Sequence, residues 1–358
     1  MGKRNKYGIH DGCTLKVGGS ALMEGVMMRS ESAVAMAVRI SDGSIQVIKK
    51  PLKNKARSAI SKIPFLRGAF TLVSSMVDSV YYLSKSAEFV DLEEGVDPNK
   101  EPSKFEKFLE KVFGDKLMDV MMGLSVVVSL AFSIGLFMLL PKVVVELFGL
   151  DDNLVLVGNL IEGAIRIGLF IGYILLATRL NEIRRVFSYH GAEHKCIHCL
   201  EHNEELTVEN VRKYTTLHPR CGTAFMFLIM VISILLFSLL DLGLNALGIV
   251  GPVWKVLIRL LFMPVLAGIT YEVTRLTARF GNNPIMRAIS APGLAMQRLT
   301  TFEPDDAMIE VGIASLKASL DESIPFNTEE EIAEMAKKAQ GAANRKAEEE
   351  KTDDHTTE

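Results

Sequence analysis

A mainly α integral membrane protein is predicted, with about four transmembrane helices and a small N-terminal β-containing cytoplasmic unit. Three observations predict it: four apolar runs close to the length that crosses a bilayer, an uneven spread of Lys and Arg between them, and alternating strand-like sequence near the N-terminus. The 358 residues are 49% hydrophobic, with a positive mean hydropathy. That is too apolar for an ordinary soluble domain and too charged for a chain buried in lipid throughout. The net charge of −3 gives no electrostatic case for nucleic acid.

Residues 1–62 read as the N-terminal α+β unit. Ala33 to Ile40 is apolar and β-branched, Ser41-Asp42-Gly43-Ser44 is a turn signal, and Ile45 to Ile48 resumes the strand pattern. Ahead of it, Gly18-Gly19-Ser20 and Glu24 to Arg29 read as a Gly-punctuated loop. It lacks the lysine spacing of a phosphate-binding loop. The first residues, MGKRNKYGIHDG, carry no apolar signal core, so insertion is expected to rely on internal helices.

Residues 63–110 read as an amphipathic and linker region. Arg67 and Asp78 within the apolar stretch after Pro64 argue for surface packing over spanning, and Asp91 to Lys107 is polar. Residues 111–278 form the expected membrane domain. Its runs are Leu117 to Leu140, stopping at Pro141, then Leu154 to Leu176, Thr223 to Leu240 and Val253 to Tyr271. Within the second run, Glu162 and Arg166 are one turn apart and predict an intramembrane ion pair.

Orientation follows from the basic residues. Lys142 to Asn153 holds one lysine and Asp241 to Pro252 none, whereas the segment Arg179 to Arg220 carries seven. Both termini and the His/Cys loop at 179–221 are therefore expected in the cytoplasm, in a cell-membrane protein. Residues 279–325 read as a C-terminal cytoplasmic segment and 326–358 as a charged, disordered tail. Self-association is left open.

Five of seven histidines and three of four cysteines fall between His190 and Cys221. Clustered imidazoles and thiols are what a transition metal needs, zinc above all. His190 and His194, four apart, stand about 40° apart on one helix face and can close on one ion. Glu193 adjoins that face, suited to deprotonating water, in the His-x-x-Glu-His order of inverted zinc proteases. For a third ligand His218 is favoured, with Cys221 close behind; Glu272 is the distant candidate, with Arg275 or Arg279 as its competing partners. A separate arrangement pairs Cys196 and Cys199 with His218 and Cys221 in a closed zinc knuckle. On a continuous helix, those two cysteines would point away from His190 and His194.

Five motifs together resemble the YqhQ-like bacterial membrane proteins. They are Gly-Gly-Ser-Ala-Leu-Met-Glu-Gly-Val-Met-Met-Arg at 18–29, Pro-Phe-Leu-Arg-Gly at 64–68, Tyr-His-Gly-Ala-Glu-His-Lys at 189–195, Leu-His-Pro-Arg-Cys-Gly-Thr at 217–223 and Pro-Gly-Leu-Ala-Met-Gln-Arg-Leu-Thr-Thr-Phe-Glu-Pro-Asp-Asp at 292–306. The resemblance implies a membrane location and a metal-dependent enzyme, and supplies no substrate. It carries the His-x-x-Glu-His pattern onto His190, Glu193 and His194, and His-Pro-Arg-Cys onto His218 and Cys221. Cys196 and Cys199 lie outside it, as does 329–358.

The function expected is a metal-dependent hydrolase at the cytoplasmic membrane face. Its catalytic base is Glu193, its ligands are His190, His194 and His218 or Cys221, and its substrate is an unidentified membrane-proximal amide or ester. Arg220 is a candidate for stabilising an oxyanion. The alternative is a non-enzymatic membrane scaffold or transporter-like protein with a structural metal.

Overall fold

The computed structural model describes residues 17–52, 63, 66–90, 117–149, 155–219, 221–248, 252–280 and 283–354. The N-terminal dozen, the polar linker at 91–107 and Arg220 lie outside the described residues. The chain divides into two compact units, one made of 1–91, 174–232 and 260–358, the other of 92–173 and 233–259.

In the first unit, β1 (Gly18–Leu22), β2 (Gly25–Arg29), β3 (Ala33–Arg39) and β4 (Ile45–Pro51) form one antiparallel meander in chain order. The expected Gly-punctuated loop is thus a hairpin. Leu22 pairs with Gly25, leaving a two-residue turn in which Glu24 takes a positive φ of 48°. Acidic Glu24 is held there by Arg185 and by the Tyr189 hydroxyl at 3.2 Å.

Both faces of the sheet are covered, which explains the near-continuous apolar run of β3. One face sends Val26, Met28 and Ala37 against α5 (Asn181–Glu201) and α10 (Asp306–Leu320). The small alanines let α10 approach closely enough for Ser315 Oγ to donate to the Ala35 carbonyl at 3.0 Å. Met27, Val34, Met36 and Ile48 on the other face meet Tyr82 of α1 (Leu66–Ala87), and Ile332 and Ala336 of α11 (Glu329–Asp354).

Two boundaries read from sequence therefore change. The sheet is not a separate N-terminal unit, because α10 from the C-terminal segment completes its core. The charged tail begins as a packed helix: Ile332, Ala336 and Ala339 recur at helical spacing and are buried.

Four helical stretches are long and apolar enough to cross a membrane: Gly123–Leu147, Leu156–Ala177, Gly222–Ala246 and Leu257–Thr277. They belong to α2 (Leu117–Ile134) with its continuation, α4 (Val155–Ala177), α7 (Gly222–Ala246) and α8 (Pro252–Arg279). Most of their side chains face outward, as lipid contact requires. The first does not stop at Pro141. A π-helical turn at Gly135–Leu139 restarts the helix as α3 (Leu140–Leu147), putting the proline where its missing N–H breaks no bond.

That turn has a polar partner in the second unit. Arg166 Nε donates to the Phe137 carbonyl at 2.9 Å and its guanidinium pairs with Glu162. Asp241 accepts from Asn159 at 3.1 Å and pairs with Arg259, so each of these apolar-depth carboxylates has a partner.

Candidate metal centre

Helix α5 carries two kinds of face. Tyr189, Ala192, Cys196, Cys199 and Leu200 point into the core beside the sheet and α10. Cys196 lies against Gly312, where even an added Cβ would stand 2.9 Å from its sulfur. Burial pushes its thiol pKa well up and that of Cys199 up to about 11. The zinc-knuckle arrangement is accordingly not formed: these sulfurs face hydrocarbon and backbone carbonyls of Ile309, Glu204 and Glu205.

The other face holds the imidazoles. His190 and His194 have ring centroids 4.4 Å apart. Their ligand atoms and the Cys221 sulfur all lie within 4.8 Å of one another. Cys221 immediately precedes α7, where the Thr223 amide donates to its sulfur at 3.4 Å. The Cys221 sulfur stands 3.2 Å from His190 Nε2. A sulfur and a nitrogen sharing a tetrahedral zinc would be about 3.6 Å apart, so this pair needs only a small adjustment.

Each imidazole is oriented from behind. His190 Nδ1 donates to the Thr300 carbonyl at 2.9 Å, and His194 Nδ1 to that of Thr216. Both bonds leave the lone pair on Nε2, the arrangement that metal-ligating histidines adopt. Burial lowers the His194 pKa, partly offset by Cys221 and the Thr216 bond.

Glu193 is buried at 5% exposure, and its Oε2 has no hydrogen-bond partner among the described residues. Burial raises its pKa; neighbouring His190 and His218 and the Gly19 amide pull it back down. The first motif acquires a role here. A Cβ at Gly19 would stand 3.0 Å from Glu193 Cδ and 2.5 Å from the Met27 carbonyl oxygen, so only glycine fits. The next residue along the helix but one, Lys195, is turned the other way and pairs with Glu303.

His218 does not complete the His190/His194 set. Its ring is 5.6 Å from that of His194, and its ligand atom groups with those of His198 and Glu201. Glu272, the distant candidate, is bound in a two-pronged pair with Arg67 at 2.7 and 2.6 Å, while Arg275 reaches it only at 4.0 Å. Sequence reasoning missed Glu201, although its three-residue spacing from His198 places both on one face. It also missed the carbonyls of Thr216 and Thr300, which carry no side-chain signal.

Burial holds the His218 pKa down to about 4, against 6.5 for a free imidazole. As pH falls, the unfolded chain takes up this proton first. In metal-free protein its contribution is therefore complete above pH 6.5 and lost progressively towards about pH 4, by roughly 3 kcal/mol. Denaturant unfolding of detergent-solubilised wild type and His218→Gln across that range isolates the effect. The two curves should converge as pH falls; Glu193, with its raised pKa, acts in the opposite direction, and its coupling to His218 is lost in the variant.

Four bilayer-length apolar helices define a helical membrane protein, and its His190/His194/Cys221 cluster is of a kind that could hold a metal ion. Residues 63–322 match the family described as "Protein of unknown function (DUF1385)", and the chain belongs to that family. It is 34% identical over 305 residues to "Uncharacterized protein YqhQ" of Bacillus subtilis (strain 168), covering 85% of this chain and 92% of that relative. The resemblance read from the five motifs is upheld. No solved structure matches the chain.

Proposed function

We propose that the chain is a membrane metal-dependent hydrolase acting on an amide or ester substrate at the cytoplasmic membrane face. His190 and His194 through Nε2, and Cys221 through its sulfur, are the ligands of one divalent ion, for which two nitrogens and a sulfur favour zinc. Such an ion supplies Lewis acidity and lets water ionise near neutral pH.

The protein's own groups account for the remainder. The Thr300 and Thr216 carbonyls fix both tautomers, and the Gly19 amide holds the Glu193 carboxylate. Glu193 takes a proton from the attacking water and delivers it to the leaving nitrogen or oxygen as the acyl bond breaks. A nearby dication would offset the burial that otherwise favours its neutral form. The unpartnered Glu193 Oε2 carries this reading: a buried carboxylate oxygen without a donor costs about 1–3 kcal/mol and calls for a ligand. The density of Lys and Arg from Arg179 onward supports the cytoplasmic assignment.

Elemental analysis of detergent-purified protein tests the ligand set. His190→Ala and Cys221→Ser are each expected to lose the thiolate-bound ion, whereas Cys196→Ala keeps it. An ion lost in the Cys196 variant and retained in the His190 variant would overturn the assignment.

A further inference from the structure

The stripe of imidazoles on α5 continues past His194. His198 and Glu201, with His218 from the segment returning towards α7, present ligand atoms that also lie within 4.8 Å of one another. We propose that these residues form a second divalent-cation site, beside the His190/His194/Cys221 centre and distinct from it in donor chemistry. The site stands on its own residues; only its pairing with the first ion rests on the function proposed above.

The geometry is that of a supported ligand set. His218 is clamped at both backbone groups: its N–H donates to Gln297 Oε1 at 2.8 Å, and its carbonyl accepts from Gln297 Nε2 at 2.7 Å. Gln297, from α9 (Pro284–Thr300), is wholly buried, so the root of the His218 side chain is fixed. His198 Nε2 donates to the Leu217 carbonyl at 2.8 Å, which sets the lone pair on Nδ1. This repeats the backbone-carbonyl support seen at His190 and His194. The Tyr214 ring lies parallel to His198, with centroids 6.1 Å apart and 10° between the planes.

Spacing also fits. His218 Nε2 and Glu201 Oε2 are 3.4 Å apart. That exceeds the roughly 2.7–2.9 Å of a charge-assisted hydrogen bond. It equals the separation of about 3.4 Å expected for two nitrogen or oxygen donors on one tetrahedral zinc. Two imidazoles and a carboxylate make a harder set than two imidazoles and a thiolate, accepting Zn²⁺, Mn²⁺ or Fe²⁺. Glu201 is 28% exposed, which gives the cation a way in, while His218 is almost wholly covered.

The two sets are neighbours. His194 of one and His218 of the other have rings 5.6 Å apart, and the Glu193 carboxylate feels both His190 and His218. Two ions held at these neighbouring sites would clamp an anionic ester for hydrolysis, since each could neutralise charge on a different oxygen. The pairing narrows the substrate class to one whose scissile group carries, or develops, negative charge on two oxygens.

The test loads metal-free, detergent-purified full-length protein with Zn²⁺ and, separately, with Co²⁺. Ions per chain are counted by elemental analysis, and the thiolate-to-cobalt charge-transfer band is recorded. Wild type is expected to hold two ions. Glu201→Gln and His198→Asn should each lose one and keep the band; Cys221→Ser should lose one together with the band. Glu201→Gln changes a partly exposed side chain isosterically, so the fold survives even if the His198 variant fails to fold. One ion in wild type that carries the thiolate band, or an unchanged count in Glu201→Gln, overturns the second site and leaves the first standing. Loss of an ion in Glu201→Gln with both retained in Cys221→Ser overturns the first centre and leaves the second.

Discussion

Gly191→Ala is expected to destabilise the protein by about 2 kcal/mol net and to empty the proposed metal centre. Within a helix, alanine normally gains about 1 kcal/mol over glycine. Here a Cβ would collide with the carbonyl oxygen of Phe302, which is backbone and cannot swing aside. Overpacking of this kind costs about 3 kcal/mol and outweighs the helical gain. Relief requires the segment after α9 to lift from α5. That segment is tied by the Phe302 amide donating to the Phe187 carbonyl at 3.0 Å and by the Thr300 carbonyl accepting from His190 at 2.9 Å. Lifting it frees the His190 ring, so metal content should fall with stability. Gly341→Ala is the control, because a Cβ there meets nothing within 4 Å; it should be neutral or slightly stabilising. Unfolding midpoints with parallel metal analysis check both, and full metal in a destabilised Gly191→Ala would separate the fold from the site.

The same contact explains what was legible in the sequence. The spans were readable because lipid demands about twenty apolar residues and little else. His190, Glu193 and His194 were readable because helical spacing alone brings them near one another. The choice between His218 and Cys221 was not, since the two sit so close in the chain that either could reach the helix; the structure groups the Cys221 sulfur with His190 and His194, and Gln297, 79 positions away, holds both backbone groups of His218. Arg67 likewise claims Glu272 across 205 positions. The Thr-Thr-Phe-Glu motif at 300–303 read only as part of a resemblance, because Thr300 and Phe302 act through their carbonyls, on His190 and against Gly191, and only Glu303 contributes a charged side chain, to Lys195. The strands β3 and β4 were visible, but β1 and β2 read as a Gly-punctuated loop, and nothing showed that α10 and α11 cover the two faces, since tertiary burial leaves both faces apolar and removes the alternation that reports exposure.

Glu193→Gln is expected to keep the proposed thiolate-bound ion and to abolish the proposed hydrolysis. Glutamine preserves volume and the hydrogen bond from the Gly19 amide, so the tight packing against Gly19, 3.0 Å from a would-be Cβ, is undisturbed. It removes the negative charge and the acceptor strength of the unpartnered oxygen. If that oxygen serves as the base, the loss of general-base catalysis is about 10²–10⁴-fold. If the carboxylate is only a buried charge, the amide is the easier group to bury and the variant should be as stable as wild type or more so. The readout is rescue of a deletion strain of the host by wild type and not by Glu193→Gln, with equal membrane levels and equal metal. His190→Ala fails through lost metal and so cannot separate a scaffold from an enzyme. Full complementation by Glu193→Gln would remove the hydrolase and leave a metal-organised membrane scaffold. A null phenotype at full occupancy and equal membrane levels supports chemistry from this carboxylate, because the substitution keeps the side-chain volume and the Gly19 hydrogen bond and changes only its charge and acceptor oxygen.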